Sequence, residues 1–147
     1  MEIRRIRQTE AEAVTYLWDE SSGGVLKERG RRNIAAMLVL AASSHRAACF
    51  VDDGLKGFVL AELVDDGLLP CQYGRVEELT AGGDAELERA LIRAAVDWLW
   101  QHDVFVIRTD LELGESAELV ESLGFEAETT RFGLYRDSST SNWTSSP

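Results

Sequence analysis

Two adjacent carboxylates, Glu77 and Glu78, are the residues best suited by type and position to move a proton. They lie in the run Cys71 to Thr80, which reads as a strand, and a carboxylate there can act as a general base directly or through one water. Alternation along a strand sends the two to opposite faces, so at most one is expected to face a cleft. Other chemistries lack their residues. His45 and His102 stand alone at the ends of expected elements, where a solvated or capping role is the ordinary one, and no His/Cys/Asp cluster has metal-ligand spacing. Cys49 and Cys71 form no CxxC pattern and read as buried thiols. Ser21, Ser22 and Ser116 occupy no nucleophile motif, so covalent catalysis has no support.

These candidates need a scaffold, and 147 residues are enough for one well-packed domain. Hydrophobic residues at 45% and charged residues at 28% are the proportions of a globular chain. The apolar stretch Ile34 to Ala42 falls short of the roughly 18 residues a membrane span needs. The opening MEIRRIRQTE carries charge where a secretory signal needs an apolar run, so a cytoplasmic location is expected. The net charge of −11 argues against nucleic acid or an anionic membrane as partner. It is unevenly spread: residues 1–46 hold eight Lys/Arg against six Asp/Glu, and residues 47–147 hold seven against twenty. That acidity could attract a cationic ligand such as an amine, although charge runs are usually solvated faces.

Hydrophobic period and turn chemistry divide the chain into elements. Ile3 to Arg7 reads as an edge strand, and Thr9-Glu10-Ala11-Glu12 as a capping box that starts a helix through Trp18. Ser21-Ser22-Gly23-Gly24 breaks it, and a second helix is expected from about Arg31 to Ala42. Arg46 to Val51 and Leu55 to Val64 form a hairpin around Asp52-Asp53-Gly54, where Asp-Gly supplies the positive φ of a tight turn. Cys71 to Thr80 adds a third strand to this meander. The strongest helix runs from Ala85 to about Gln101 with Leu87, Leu91, Ala94 or Ala95, and Trp98 inward. Val104 to Ile107 reads as a strand buried on both faces, Glu115 to Leu123 as a short helix stopped by Gly124, and Thr129 to Tyr135 as a final strand. The domain is expected to span 1–136, followed by a polar, disordered tail over 137–147. The resulting order, β-α-α-β-β-β-α-β-α-β, is an α/β arrangement with a mixed sheet.

In this order, three words of the sequence resemble the GCN5-related N-acetyltransferases, the GNAT superfamily. Leu55-Lys56-Gly57-Phe58-Val59-Leu60 is similar to the family's third strand, Gly74-Arg75-Val76-Glu77-Glu78-Leu79 to its fourth, and Glu115 to Phe125 to its last helix with the Leu-Gly-Phe exit. The resemblance covers roughly residues 1–136. It implies a GNAT-like acyl-CoA N-acyltransferase fold and transfer of an acetyl group from acetyl-CoA to a primary amine, on a small molecule or a peptide, by direct attack. It implies that Leu79, Thr80, Ala81, Gly82, Gly83, Asp84 and Ala85 hold the cofactor, with the fourth strand binding pantetheine and the glycine loop and helix start binding pyrophosphate. Free amides and a helix N-terminus make an anion site of this kind.

The chain departs from the family at that loop. The usual Gly-x-Gly-x-Gly or Gly-x-Gly-x-Ala is missing; either the loop is shorter than usual or Asp84, Glu86 and Glu88 stand where glycines belong. Acidic side chains there disfavour a pyrophosphate, although Asp84 also suits a helix N-cap. The Tyr and Asn of the family's last helix are replaced by Val120 and Gly114. The catalytic candidates are then Glu78, Glu77 and, as acid for the departing thiolate, Tyr135, with Tyr73 as a substitute. Between the first two helices, Lys27, Arg29, Arg31 and Arg32 form a basic lip beside the acceptor pocket that the resemblance implies. The rival reading is a domain of the same fold that has lost acetyl-CoA and serves as a binding or regulatory module. Trp100 and Trp143 would suit the interface of a homodimer.

Overall fold

A computed structural model describes residues 2–24, 28–65, 67, 71–109 and 117–126. Its strands are β1 (Ile3–Arg5), β2 (Ala47–Asp52), β3 (Phe58–Asp65), β4 (Gln72–Thr80) and β5 (Val104–Thr109). Its helices are α1 (Ala11–Ser21), α2 (Glu28–Ala41), α3 (Ala85–Trp100) and α4 (Ala117–Ser122). The five strands form one mixed sheet in the order β1-β2-β3-β4-β5, with antiparallel pairing throughout except between β4 and β5, which are parallel. The expected final strand with Tyr135, the tail with Trp143, and Gly114 lie outside the described residues.

The two faces of the sheet follow from strand alternation. Val59, Ala61 and Leu63 of β3 and Val76 of β4 pack against Leu87, Leu91, Ala95 and Leu99 of α3. Phe58 and Leu60, from the same strand but the opposite face, pack with Cys49 and Val51 against Val14 of α1 and Leu38 and Ala41 of α2. Full burial of such side chains contributes roughly 1.5–3 kcal/mol each. Burial also pushes the Cys49 thiol up to about 12, so it is an inert core group. Cys71 is only half-buried, because it precedes β4 rather than lying within it.

Four local expectations change. The positive φ of the β2–β3 turn falls on Leu55 (φ 51) and not on Gly54. The Asp52 side chain dictates this turn: its Oδ1 accepts from the amides of Lys56 (2.8 Å) and Gly57 (3.0 Å) while its carbonyl accepts from Leu55. The capping box sits two residues early, since Glu10 accepts from the Arg7 amide at 2.9 Å and a 3-10 turn over Gln8–Glu10 precedes α1. Arg4 holds Glu10 there through two bonds of 2.9 and 2.7 Å, which keeps the Glu10 carboxyl down at about 2. Helix α2 begins at Glu28, three residues before the expected Arg31. Finally, β5 is not covered on both faces: Phe105 is 55% exposed.

Arg5 has a role that its place in an edge strand did not suggest. Its guanidinium donates to the carbonyls of Ala41, Ser44 and Ala47 and lies over the Trp98 ring, tying the end of α2 to the sheet. Asp52 is the most consequential polar group in the core. Asp52→Ala should lower the free energy of unfolding by about 1–3 kcal/mol, because two amides at the turn lose their acceptor. Urea denaturation checks this, and Asp52→Asn, which keeps an acceptor oxygen, should recover most of the loss.

Candidate functional site

The site begins with an irregularity in β4. Val59 pairs with Leu79 and Ala61 with Val76, so one residue of β3 faces two of β4. The two are Glu77 and Glu78, and they form a β-bulge. Val76 and Leu79 both pack toward α3, which leaves the pair between them on the face that carries α1 and α2. The expectation that alternation separates the two carboxylates is therefore overturned, because the extra residue interrupts the period of two. Glu78 is close enough for its charge to raise the proton affinity of Glu77.

Glu77 is held and Glu78 is free. Nη2 of Arg75 lies 3.2 Å from Glu77 Oε1 and 2.5 Å from Oε1 of Glu62, the residue paired with Arg75 across the strands. Partial burial raises the Glu77 pKa first and the Glu62 carboxylate raises it further, with Arg75 opposing them. Glu78 is exposed at the surface, yet the protein crowding one side of its carboxyl displaces water and raises its pKa; it has no hydrogen bond or ion pair among the described residues. Sequence reading missed Glu62 as part of this group. Its signal was a lone carboxylate in the apolar strand Phe58-Val59-Leu60-Ala61-Glu62-Leu63-Val64, and counting back from the hairpin turn aligns it with Arg75.

Among the described residues, the pairing of β4 with β5 stops at the bulge. Pairing between β4 and β5 runs from Gln72–Val104 to Val76–Thr109, and β4 continues through Glu77–Thr80 with no strand on that side among the described residues. The end of β4 is fixed from two directions. The Thr80 hydroxyl donates to Ser21 Oγ at 3.2 Å, joining it to the end of α1. Gly57 lies directly beneath it: a Cβ there would stand 2.5 Å from the Thr80 carbonyl and 3.1 Å from Ala81 Cα.

The loop that follows places Gly82 at φ +59 and Gly83 at φ +81, with open space where either side chain would be. The amides of Gly82, Gly83 and Ala85 have no acceptor among the described residues. Those of Glu86 and Leu87 are taken, since Asp84 Oδ1 accepts from them at 3.0 and 3.2 Å as the N-cap of α3. The Glu88 amide donates to the Asp84 carbonyl. Three amides and a glycine cradle thus remain for an anion, next to the Asp84 carboxylate. The residues present fit a reduced pyrophosphate site.

The remaining candidates fall elsewhere or into ordinary roles. Tyr73 lies four residues back along β4 from Glu77, on the order of 13 Å at strand rise, and Arg108 covers its ring at 5.1 Å. Val120 is buried and offers no proton. His102 closes the end of α3, its Nδ1 2.8 Å from the Trp98 carbonyl oxygen. In the basic lip, Arg31 pairs with Asp19 at 3.2 Å and Arg29 and Arg32 are exposed, while Lys27 lies outside the described residues. Trp100 is 55% exposed. No group of His, Cys, Asp and Glu able to hold a metal occurs among the described residues, nor any helix long and apolar enough to cross a membrane.

No protein-family model and no curated protein matches the sequence. Solved structures do match. The aminoglycoside N-acetyltransferase AAC(6')-Iy, solved in complex with CoA, is 22% identical and superposes with a TM-score of 0.72 over 92% of this chain and 93% of its own. A ribosomal-protein-alanine N-acetyltransferase from Brucella melitensis biovar Abortus 2308 is 13% identical, with a TM-score of 0.66 over 92% of this chain and 99% of its own. An aminoglycoside acetyltransferase from an uncultured soil metagenomic sample, in complex with sisomicin, is 10% identical, with a TM-score of 0.67 over 94% and 96%. The chain has the mixed α/β fold of the GNAT acetyltransferases.

Proposed function

We propose that the protein is an N-acetyltransferase that moves an acetyl group from acetyl-CoA to a primary amine by direct attack. The observation that carries this reading is the opening of the β4–β5 ladder beside the free amides of Gly82, Gly83 and Ala85. The edge over Glu77–Thr80, unpaired on the β5 side among the described residues, offers backbone groups to the extended arm of the co-substrate, and the loop offers amides to its phosphates. Leu79, Thr80 and Ala81 line the passage between the two, and Asp84 limits how much of the helix start is available.

The amine arrives protonated and must lose a proton before it attacks. Glu78, unpartnered and with raised proton affinity, takes that proton directly or through one water, with Glu77 beside it. The nitrogen lone pair then forms the C–N bond and the C–S bond breaks. The departing thiolate collects the second proton from the nitrogen, so no side-chain acid is required where the chain has Val120. The acceptor is a small molecule or a peptide bearing a primary amine, drawn by the acidity of residues 47–147.

One observation favours a second reading, a binding module of the same fold: the Asp84 carboxylate already satisfies two amides of the helix start. Calorimetric titration with acetyl-CoA separates the two, with desulfo-CoA as a control for the thioester. Micromolar binding that Gly83→Asp abolishes is the expected result. Absence of heat at millimolar acetyl-CoA would overturn the enzyme reading in favour of the module.

A further inference from the structure

The Glu62–Arg75–Glu77 group has a geometry that an accidental surface ion pair does not. One guanidinium nitrogen serves two carboxylates, one directly across the strands and one two residues along its own strand. All three side chains lie on the α1–α2 face, where the bulge delivers Glu77 and Glu78 together. Each is about one-third exposed, so the group is neither a core ion pair nor free in solvent.

We propose that Arg75 and Glu62 are positioning residues for Glu77: Glu62 anchors the guanidinium across the strands, and the guanidinium fixes the Glu77 carboxylate on the cleft face beside Glu78. The inference rests on the reading of Glu77 and Glu78 as the proton-accepting pair. Its consequence is a division of labour in which Glu77 is held and oriented by a fixed cation while Glu78 is left to exchange protons. Two carboxylates side by side do not ionise independently, and a fixed cation beside one of them decides which proton is held.

The charges that act on Glu77 are Glu62 from β3, and Arg75 and Glu78 from β4. Tyr73 acts on Arg75. From the neighbouring elements, Asp19 of α1 is paired with Arg31 of α2, and Arg108 of β5 stands over Tyr73. Removing Arg75 therefore takes away the cation beside Glu77. Removing the Glu62 charge takes away an anion that acts on Glu77.

Carboxyl-carbon NMR titration of the whole protein reads this without any need for activity. Arg75→Met should move the Glu77 midpoint up by about one pH unit or more, and Glu62→Gln should move it down. Arg75→Lys, which keeps the charge, should return the midpoint most of the way, and Glu62→Gln carries the test alone if Arg75→Met fails to fold. A Glu77 midpoint that does not fall in Glu62→Gln, or that stays put or falls in Arg75→Met, would overturn the proposal. If the midpoints shift as expected but acetyl-CoA does not bind, the positioning geometry stands and the acetyltransferase reading falls. Where turnover is measured, the acid limb of the pH–rate profile should follow the same shifts.

Discussion

Gly57→Ala is expected to destabilise the fold by about 1–3 kcal/mol and to weaken acetyl-CoA binding at least tenfold. The added methyl would stand 2.5 Å from the Thr80 carbonyl oxygen and 3.0 Å from Leu87 Cδ2. Leu87 can turn aside, but the carbonyl belongs to the backbone that leads into the Gly82–Gly83 loop, so relief requires the loop itself to move. Gly57 has no positive φ, which leaves crowding as the whole effect. Chemical denaturation and calorimetry on the same variant check both parts. Unchanged stability would mean that the β4–α3 junction yields easily, and an unchanged affinity would mean that its position does not matter for the co-substrate.

The second large effect runs in opposite directions for stability and binding. Asp84→Ala removes the N-cap of α3 and should cost about 1 kcal/mol of stability. It also frees the amides of Glu86 and Leu87 and removes a carboxylate from beside the proposed pyrophosphate site. A unit charge pair at ~4 Å is worth about 1 kcal/mol in bulk water and about 4 kcal/mol near a protein surface. Acetyl-CoA should therefore bind about ten times more tightly or better, since each tenfold corresponds to about 1.4 kcal/mol. A protein that loses stability without gaining affinity would show that Asp84 only caps the helix and that phosphate is not held at the start of α3.

Most elements were legible in the sequence because their causes are local. The apolar stripe of Leu87, Leu91, Ala95 and Trp98 and the meander of β2, β3 and β4 are written in residue period and turn type. Asp84 as an N-cap was equally readable, since its partners lie two and three residues away. What escaped depends on partners distant in the chain. The capping box moved because Arg4, brought alongside by β1, claims Glu10. The positive φ moved from Gly54 to Leu55 because Asp52 gathers the amides behind it.

The site divides in the same way. Leu79 to Ala85 could be located from the resemblance and from the glycines, and Glu77 and Glu78 from their residue type. Their common face could not, because a bulge is a property of two strands in register and period-two counting on β4 alone conceals it. Glu62 was hidden for the same reason, being thirteen residues from Arg75 in sequence and opposite it in the sheet.

The half-unpaired strand also bears on how copies of the chain behave toward one another. Unsatisfied amides and carbonyls along an extended segment form a template on which any other extended chain can add. Over Glu77–Thr80, which has no strand on the β5 side among the described residues, that template lies inside the sheet, so a stray strand there would be hard to release. Two neighbouring carboxylates at its start repel an intruding strand that carries acid. The carboxylates proposed to take a proton from an amine thus also bear on strand addition at this edge.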